Sequence, residues 1–224
     1  MKGLKELKVV FCFLLVLFLG VNLSAQEFFG GLILGGDVSQ VGGDARGGYN
    51  KLGLVGGAFA GLKLSEDLDV QMELKYIQKG SYSTDVENRP VFDPFLIKLD
   101  YIDMPIVFAY NLNKININDI NMKWLKLELG VSFDVLLKAR QEIQGVVVQA
   151  SDPWKRVVFN TVVGVRVNVK ENLEIGIRAI DSMTSICKTS RYPYSNGNIA
   201  YTRRLLGRYG MFNDVLQLAV FWRI

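Results

Sequence analysis

The chain has 224 residues, half of them hydrophobic, with 26 basic and 22 acidic residues and no histidine, for a formal net charge of +4. No basic stripe runs through it, which excludes a nucleic-acid-binding surface. The missing histidine removes Ser-His and Asp-His catalytic designs and the commonest metal ligand.

Residues 1–25 open with Lys2, Lys5 and Lys8 against a single Glu6, continue as an apolar run from Val9 to Gly20, and end on the small Ala25. That order predicts a secretory signal peptide over 1–25, because the apolar run is shorter than the roughly 20 residues of a membrane-spanning helix. The remaining 26–224 suit one domain by length. Cys12 belongs to the leader, so Cys187 stands alone in a polar segment and no internal disulfide is expected.

Eight pieces then alternate with the period of two that marks β-strands. The first runs from about Phe28 to Val38. In the second, Leu52, Leu54, Ala58, Leu62 and Leu64 share a face opposite Gly53, Gly57 and Gly61. The third, LDVQMELKY extended to about Lys79, sets Leu68, Val70, Met72, Leu74 and Tyr76 against Asp69, Gln71, Glu73 and Lys75. The fourth sets Ile102, Met104, Ile106, Phe108 and Tyr110 against Tyr101, Asp103 and Pro105. The fifth, from Leu125 to Val135, carries Lys126, Glu128, Ser132 and Asp134 on its polar side; the sixth, from Val157 to Val169, carries Asn160, Gly164, Arg166 and Asn168. The seventh alternates Leu173, Ile175, Ile177 and Ala179 with Glu174, Gly176 and Arg178, and the last alternates Leu216, Leu218, Val220, Trp222 and Ile224 with Gln217, Ala219 and Arg223. Each is about as long as the roughly 9–11 residues a tilted strand needs to cross a bilayer.

The connections alternate between tight and long. Ser65–Asp67 and Lys170–Asn172 are tight, whereas 80–94 and 182–212 are long, as in outer-membrane barrels with short periplasmic turns. The link 111–122 breaks this rule and reads as extended strand. An apolar face outside and a charged face inside predict an all-β fold: a single eight-stranded antiparallel up-and-down transmembrane β-barrel. In its interior Glu73, Lys75, Asp103, Lys126, Glu128, Asp134, Arg166 and Arg178 would neutralise one another, with Glu174 also available. The inner glycines of the second strand would make room for them, and Tyr76, Tyr110, Trp124 and Trp222 would form interfacial girdles. So small a barrel is expected to be packed inside and to conduct little or nothing.

The segments GGDVSQVGGD and GGYNKLGLVGG around the first loop, LDVQMELKYIQKGS, LDYIDMPIVFAY and the closing NDVLQLAVFWRI resemble the PorT-like outer-membrane β-barrel family of Bacteroidetes. The resemblance spans nearly all of 26–224. It implies an eight-stranded barrel in the cell outer membrane, and the family's founding member is associated with type IX protein secretion.

No catalytic site, cofactor or metal is expected. Glu73 with Asp103 is better explained by ion pairing than by acid–base work. The loop acids of DARGG and NIND lack the spacing of a calcium loop, and GLVGGAFAG lacks the Lys-Ser/Thr of a phosphate-binding loop. The expected function is that of a non-enzymatic integral outer-membrane protein, structural, adhesive or secretion-associated, acting through its external loops or periplasmic turns. Its expected partners are outer-membrane lipid, lipopolysaccharide and an envelope or secretion protein. The candidate contact surface is the loop residues Arg191, Tyr192, Tyr194, Tyr201, Arg203, Arg204 and Arg208. The same alternation turned inside out describes a different protein, a soluble periplasmic lipocalin-like barrel with Leu68, Val70, Met72 and Leu74 around an apolar ligand.

Overall fold

The computed structural model describes residues 27–44, 48–83, 95–117, 120–143, 145–147, 153–188, 202–203 and 209–224; the signal peptide predicted over 1–25 lies outside them. Eight long strands form where the alternation predicts them: β1 (Phe28–Gly42), β2 (Lys51–Lys63), β3 (Leu68–Ser83), β4 (Phe95–Asn111), β5 (Leu125–Ile143), β6 (Val157–Lys170), β7 (Leu173–Ser182) and β8 (Phe212–Arg223). Each pairs antiparallel with the next, and β8 returns to pair with β1, Gly31 opposite Arg223 through Gly42 opposite Phe212. The sheet therefore closes on itself, and none of the eight long strands is left as a sheet edge.

The charged face of LDVQMELKY points inward. Asp69, Gln71, Glu73 and Lys75 are buried, while Met72 and Leu74 are more than half exposed on the outside, as are Leu34, Leu54, Leu129, Ile177 and Leu218. A lipocalin-like arrangement would need the reverse, so that alternative falls. On β5 the outward apolar run from Leu125 to Val135 covers about 33 Å of strand. At the tilt of about 40° typical of such barrels it makes a band about 25 Å tall. Tyr110, Trp124 and Trp222 lie exposed at its periplasmic rim, and Tyr76 lies at the outer rim, where its hydroxyl takes a hydrogen bond from Gln78 Nε2 at 2.7 Å.

The strands run past the predicted ends, almost entirely at the outer side, and there the two faces exchange character. Val41, Ile97 and Leu99 turn in and are fully buried, whereas Gln40, Gln78, Lys98, Asp100 and Lys138 turn out. The register sets these outward groups into a polar collar: Gln78 lies opposite Asp100 and Asp100 opposite Lys138, while Gln40 lies opposite Asp214 and Asp214 opposite Asp181. Gln40 and Gln78 donate side-chain hydrogen bonds to Asp214 and Asp100, at 3.2 and 3.3 Å. Two bulges adjust the register, one between Asp100 and Tyr101 and one between Leu173 and Glu174.

The link between β4 and β5 is not extended strand throughout. It folds into a small hairpin, with Asn116–Ile117 pairing Ile120–Asn121 and Met122 N donating to the Ile115 carbonyl. Lys114 Nζ ties this hairpin to the β2–β3 turn through Asp67, at 2.5 Å. The carboxylate holds the Lys114 ammonium above its ordinary range, first by hydrogen bond and then by charge.

Candidate functional site: the sealed lumen and outer mouth

The inward polar residues of β3, β5, β6 and β7 lean toward a wall of small and aromatic residues on β1, β2 and β8. On that wall, a Cβ added at Gly53 would run into the Gln78 carbonyl and the Asp37 carboxylate, so this glycine leaves space for a charged neighbour, whereas one at Gly57 would meet the Leu74 carbonyl and Lys75 Cα, so that glycine admits the close approach of β3. Gly61 differs from the expectation, since its space is filled by the Phe29 ring.

Arg178 is the centre of the network. Its guanidinium holds Glu73 with two hydrogen bonds, at 2.7 and 2.8 Å, and Glu128 with two more, at 2.7 and 2.9 Å. Glu128 also meets Arg166, which reaches Glu174 at 2.8 Å and the Gln71 side-chain carbonyl at 3.2 Å. Glu174 then binds Lys126 at 2.8 Å and Arg223 at 3.2 Å, and both of these cations also approach Asp69. On the other side Lys75 bridges Glu73 and Asp103, each at 3.3 Å. Asp134 pairs at 2.7 Å with Lys79, a partner not named among the candidates. All eight candidate interior residues lie in the lumen, seven of them in one connected set, with Asp134 in a second pair.

Phe221 was not singled out by the sequence, yet it underlies this network. The guanidinium carbons of Arg166 and Arg178 lie 3.8 and 4.7 Å from its ring centroid, and Phe59 and Phe29 extend the row edge-to-face at 6.0 and 6.3 Å. The signal was present, because Phe221 shares the inward parity of Gln217, Ala219 and Arg223. Opposite charges in low dielectric attract strongly only where hydrogen bonds compensate for lost hydration. The forked geometry of Arg178 supplies that compensation for two carboxylates at once.

Above the charges the lumen turns apolar. Trp154, Ile186, Cys187, Met211 and Phe212 are buried over Ile97, Leu99, Tyr101, Val158 and Ile180. Backbone bonds knit this stopper together: Lys155 N to the Ile186 carbonyl, Lys188 N to the Pro153 carbonyl and Ile186 N to the Met211 carbonyl, at 2.7, 2.7 and 2.8 Å. Cys187 is thus not in a polar environment. Burial pushes its thiol up to about 12, and its Sγ lies 3.5 Å from Met211 Sδ. At the periplasmic end a polar cleft of about 350 Å³ opens between Lys63, Asp69, Lys126, Glu174 and Arg223.

Of the loop candidates, Arg191, Tyr192, Tyr194, Tyr201, Arg204 and Arg208 lie outside the described residues. Arg203 is described only by its backbone pairing with Tyr209. The glycine run GLVGGAFAG is the body of β2. Among the described residues no group of three metal-ligating side chains converges.

A closed antiparallel barrel with lipid-matched outer walls and a self-neutralised interior is an integral outer-membrane protein. This chain belongs to the outer membrane protein beta-barrel domain family, whose sequence profile matches residues 16–187. No curated protein matches it. Among solved structures it is similar to Ail, the attachment invasion locus protein of Yersinia pestis, crystallised with the heparin analogue sucrose octasulfate. That match has 12% identity and a TM-score of 0.46, covering 88% of this chain and 99% of Ail. It is also similar to Neisserial surface protein A, with 11% identity and a TM-score of 0.47, covering 90% and 100% of the two chains.

Proposed function

We propose that this outer-membrane barrel is a non-enzymatic structural, adhesive or secretion-associated component that works through the surface around its outer mouth. The observation that carries this reading is the double seal of the lumen. A charged layer knit by ion pairs and an apolar stopper above it fill the lumen among the described residues. Glu73 and Asp103, the one carboxylate pair considered for chemistry, both spend their charge on Lys75. The resemblance to the PorT-like family favours a place beside a secretion apparatus, and the Tyr- and Arg-rich sequence 191–210 carries basic residues suited to lipopolysaccharide or an envelope protein. The test is a chain with 191–210 shortened to a tight turn. It is expected to reach the outer membrane and keep its heat-dependent gel mobility while losing cross-links to envelope proteins in intact cells. An assembled variant with unchanged cross-links overturns the reading.

A further inference from the structure

Two features of the outer wall coincide. On β4 and β5, just above the apolar band, Lys98 lies directly opposite Arg140, and Lys138 sits opposite Asp100 one outward step below. All three side chains point away from the lumen. Like charges placed opposite each other across a ladder destabilise it unless something compensates. Within the chain that compensation is incomplete: Arg140 gives its Nε to Glu142 at 2.5 Å, but Lys98 and Lys138 have no hydrogen bond or ion pair among the described residues. The two carboxylates at this level are already engaged, Glu142 by Arg140 and Asp100 by Gln78 at 3.3 Å.

Beneath this cluster the wall is hollowed. Ala58 and Ala60 of β2 lie low beside Met72 and Leu74 of β3 and Met104 and Ile106 of β4, bounding an apolar groove of about 490 Å³ on the lipid side. Ile106 is six residues below Asp100, about 20 Å along a tilted strand and so about 15 Å in height. Ile106 and its partner Met72 lie midway between the two rims, so the groove sits at the middle of the apolar band, where the ends of outer-leaflet acyl chains reach.

We propose that Lys98, Lys138 and Arg140 with the groove beneath them form a wall site for one lipopolysaccharide molecule, the cations taking its lipid-anchored phosphates and the groove an acyl chain. The cations stand where the head groups of the outer leaflet lie, and guanidinium and ammonium groups are the natural partners of phosphate. The site goes beyond the loop-presenting role and rests only on the barrel's placement in the outer membrane.

The experiment is native mass spectrometry of the full chain purified in a mild detergent and titrated with purified rough lipopolysaccharide, with chemically dephosphorylated lipopolysaccharide and phosphatidylethanolamine as comparisons. The wild-type chain is expected to hold one lipopolysaccharide in preference to both comparison lipids. K98Q/K138Q/R140Q is expected to weaken that binding at least about tenfold while keeping the mobility shift on boiling. K98R/K138R keeps the charge and is expected to rescue it, and A60F is expected to weaken binding by filling the groove. The loop-shortened chain is expected to bind as wild type, which separates this site from the loop reading. Equal binding of dephosphorylated lipopolysaccharide, or a folded triple-Gln variant that binds undiminished, overturns the proposal.

Discussion

Arg178 is fully buried and makes four hydrogen bonds to two carboxylates, so its loss would leave Glu73 and Glu128 charged in a medium that cannot hydrate them. R178M is expected to cost about 3–5 kcal/mol, read as a lower urea midpoint for the protein folded in vesicles. A subtler probe of the same spot is Gly164, where an added Cβ would sit 2.7 Å from Arg178 Cγ and 3.1 Å from a Glu128 oxygen. G164V should displace the guanidinium and cost about 1–3 kcal/mol. Cys187 makes a third prediction. Its thiol stays neutral well above neutral pH in the folded chain, so a maleimide should label it slowly at pH 7–8 and rapidly after denaturation. The fold holds this proton more tightly than the unfolded chain does. The associated stability is therefore present below about pH 8.5 and is lost as the pH rises toward 12.

Among the strands, those parts that cross the bilayer were legible because the outward face is apolar throughout and, on β3 and β5, alternates with a largely polar inward face, although Ile33, Val55, Phe59, Val107, Val162 and Phe221 also turn inward elsewhere. LDVQMELKY displays that alternation without a break, and β3 forms there. The outer ends were not legible for a physical reason: above the collar the outside is wet and the inside dry, so Ile97 and Leu99 turn in where Asp103 does lower down. The alternation continues while its meaning reverses, and a reader following the lipid pattern stops too early. The link 111–122 was opaque for another reason, since its hairpin is fixed by backbone bonds and by Lys114 meeting Asp67, a contact 47 residues apart. The lipid face makes a prediction at this scale. L218R, in the middle of the outward run of β8, should cost about 2–4 kcal/mol, whereas Q78R in the collar should cost about 0–1, both read from urea titrations in vesicles.

As a whole, the molecule is a closed wall around a filled interior. That the charges would neutralise each other could be anticipated from their mixed signs. Their individual partners depended on strand stagger, which puts Lys79 rather than a lower cation beside Asp134. In planar bilayers the folded protein is expected to insert without unitary current steps; stepwise conductance would mean that the charged layer or the stopper opens. The collar has its own consequence for the way the protein rides in its membrane. Sliding the barrel inward by one pair of residues would drag Gln78, Asp100, Asp181 and Asp214 into hydrocarbon, and sliding it outward would strand leucines and valines in water. The sequence thus carries a draught mark, like the line on a hull, and a bilayer of different thickness would have to bend to meet it before the protein would shift.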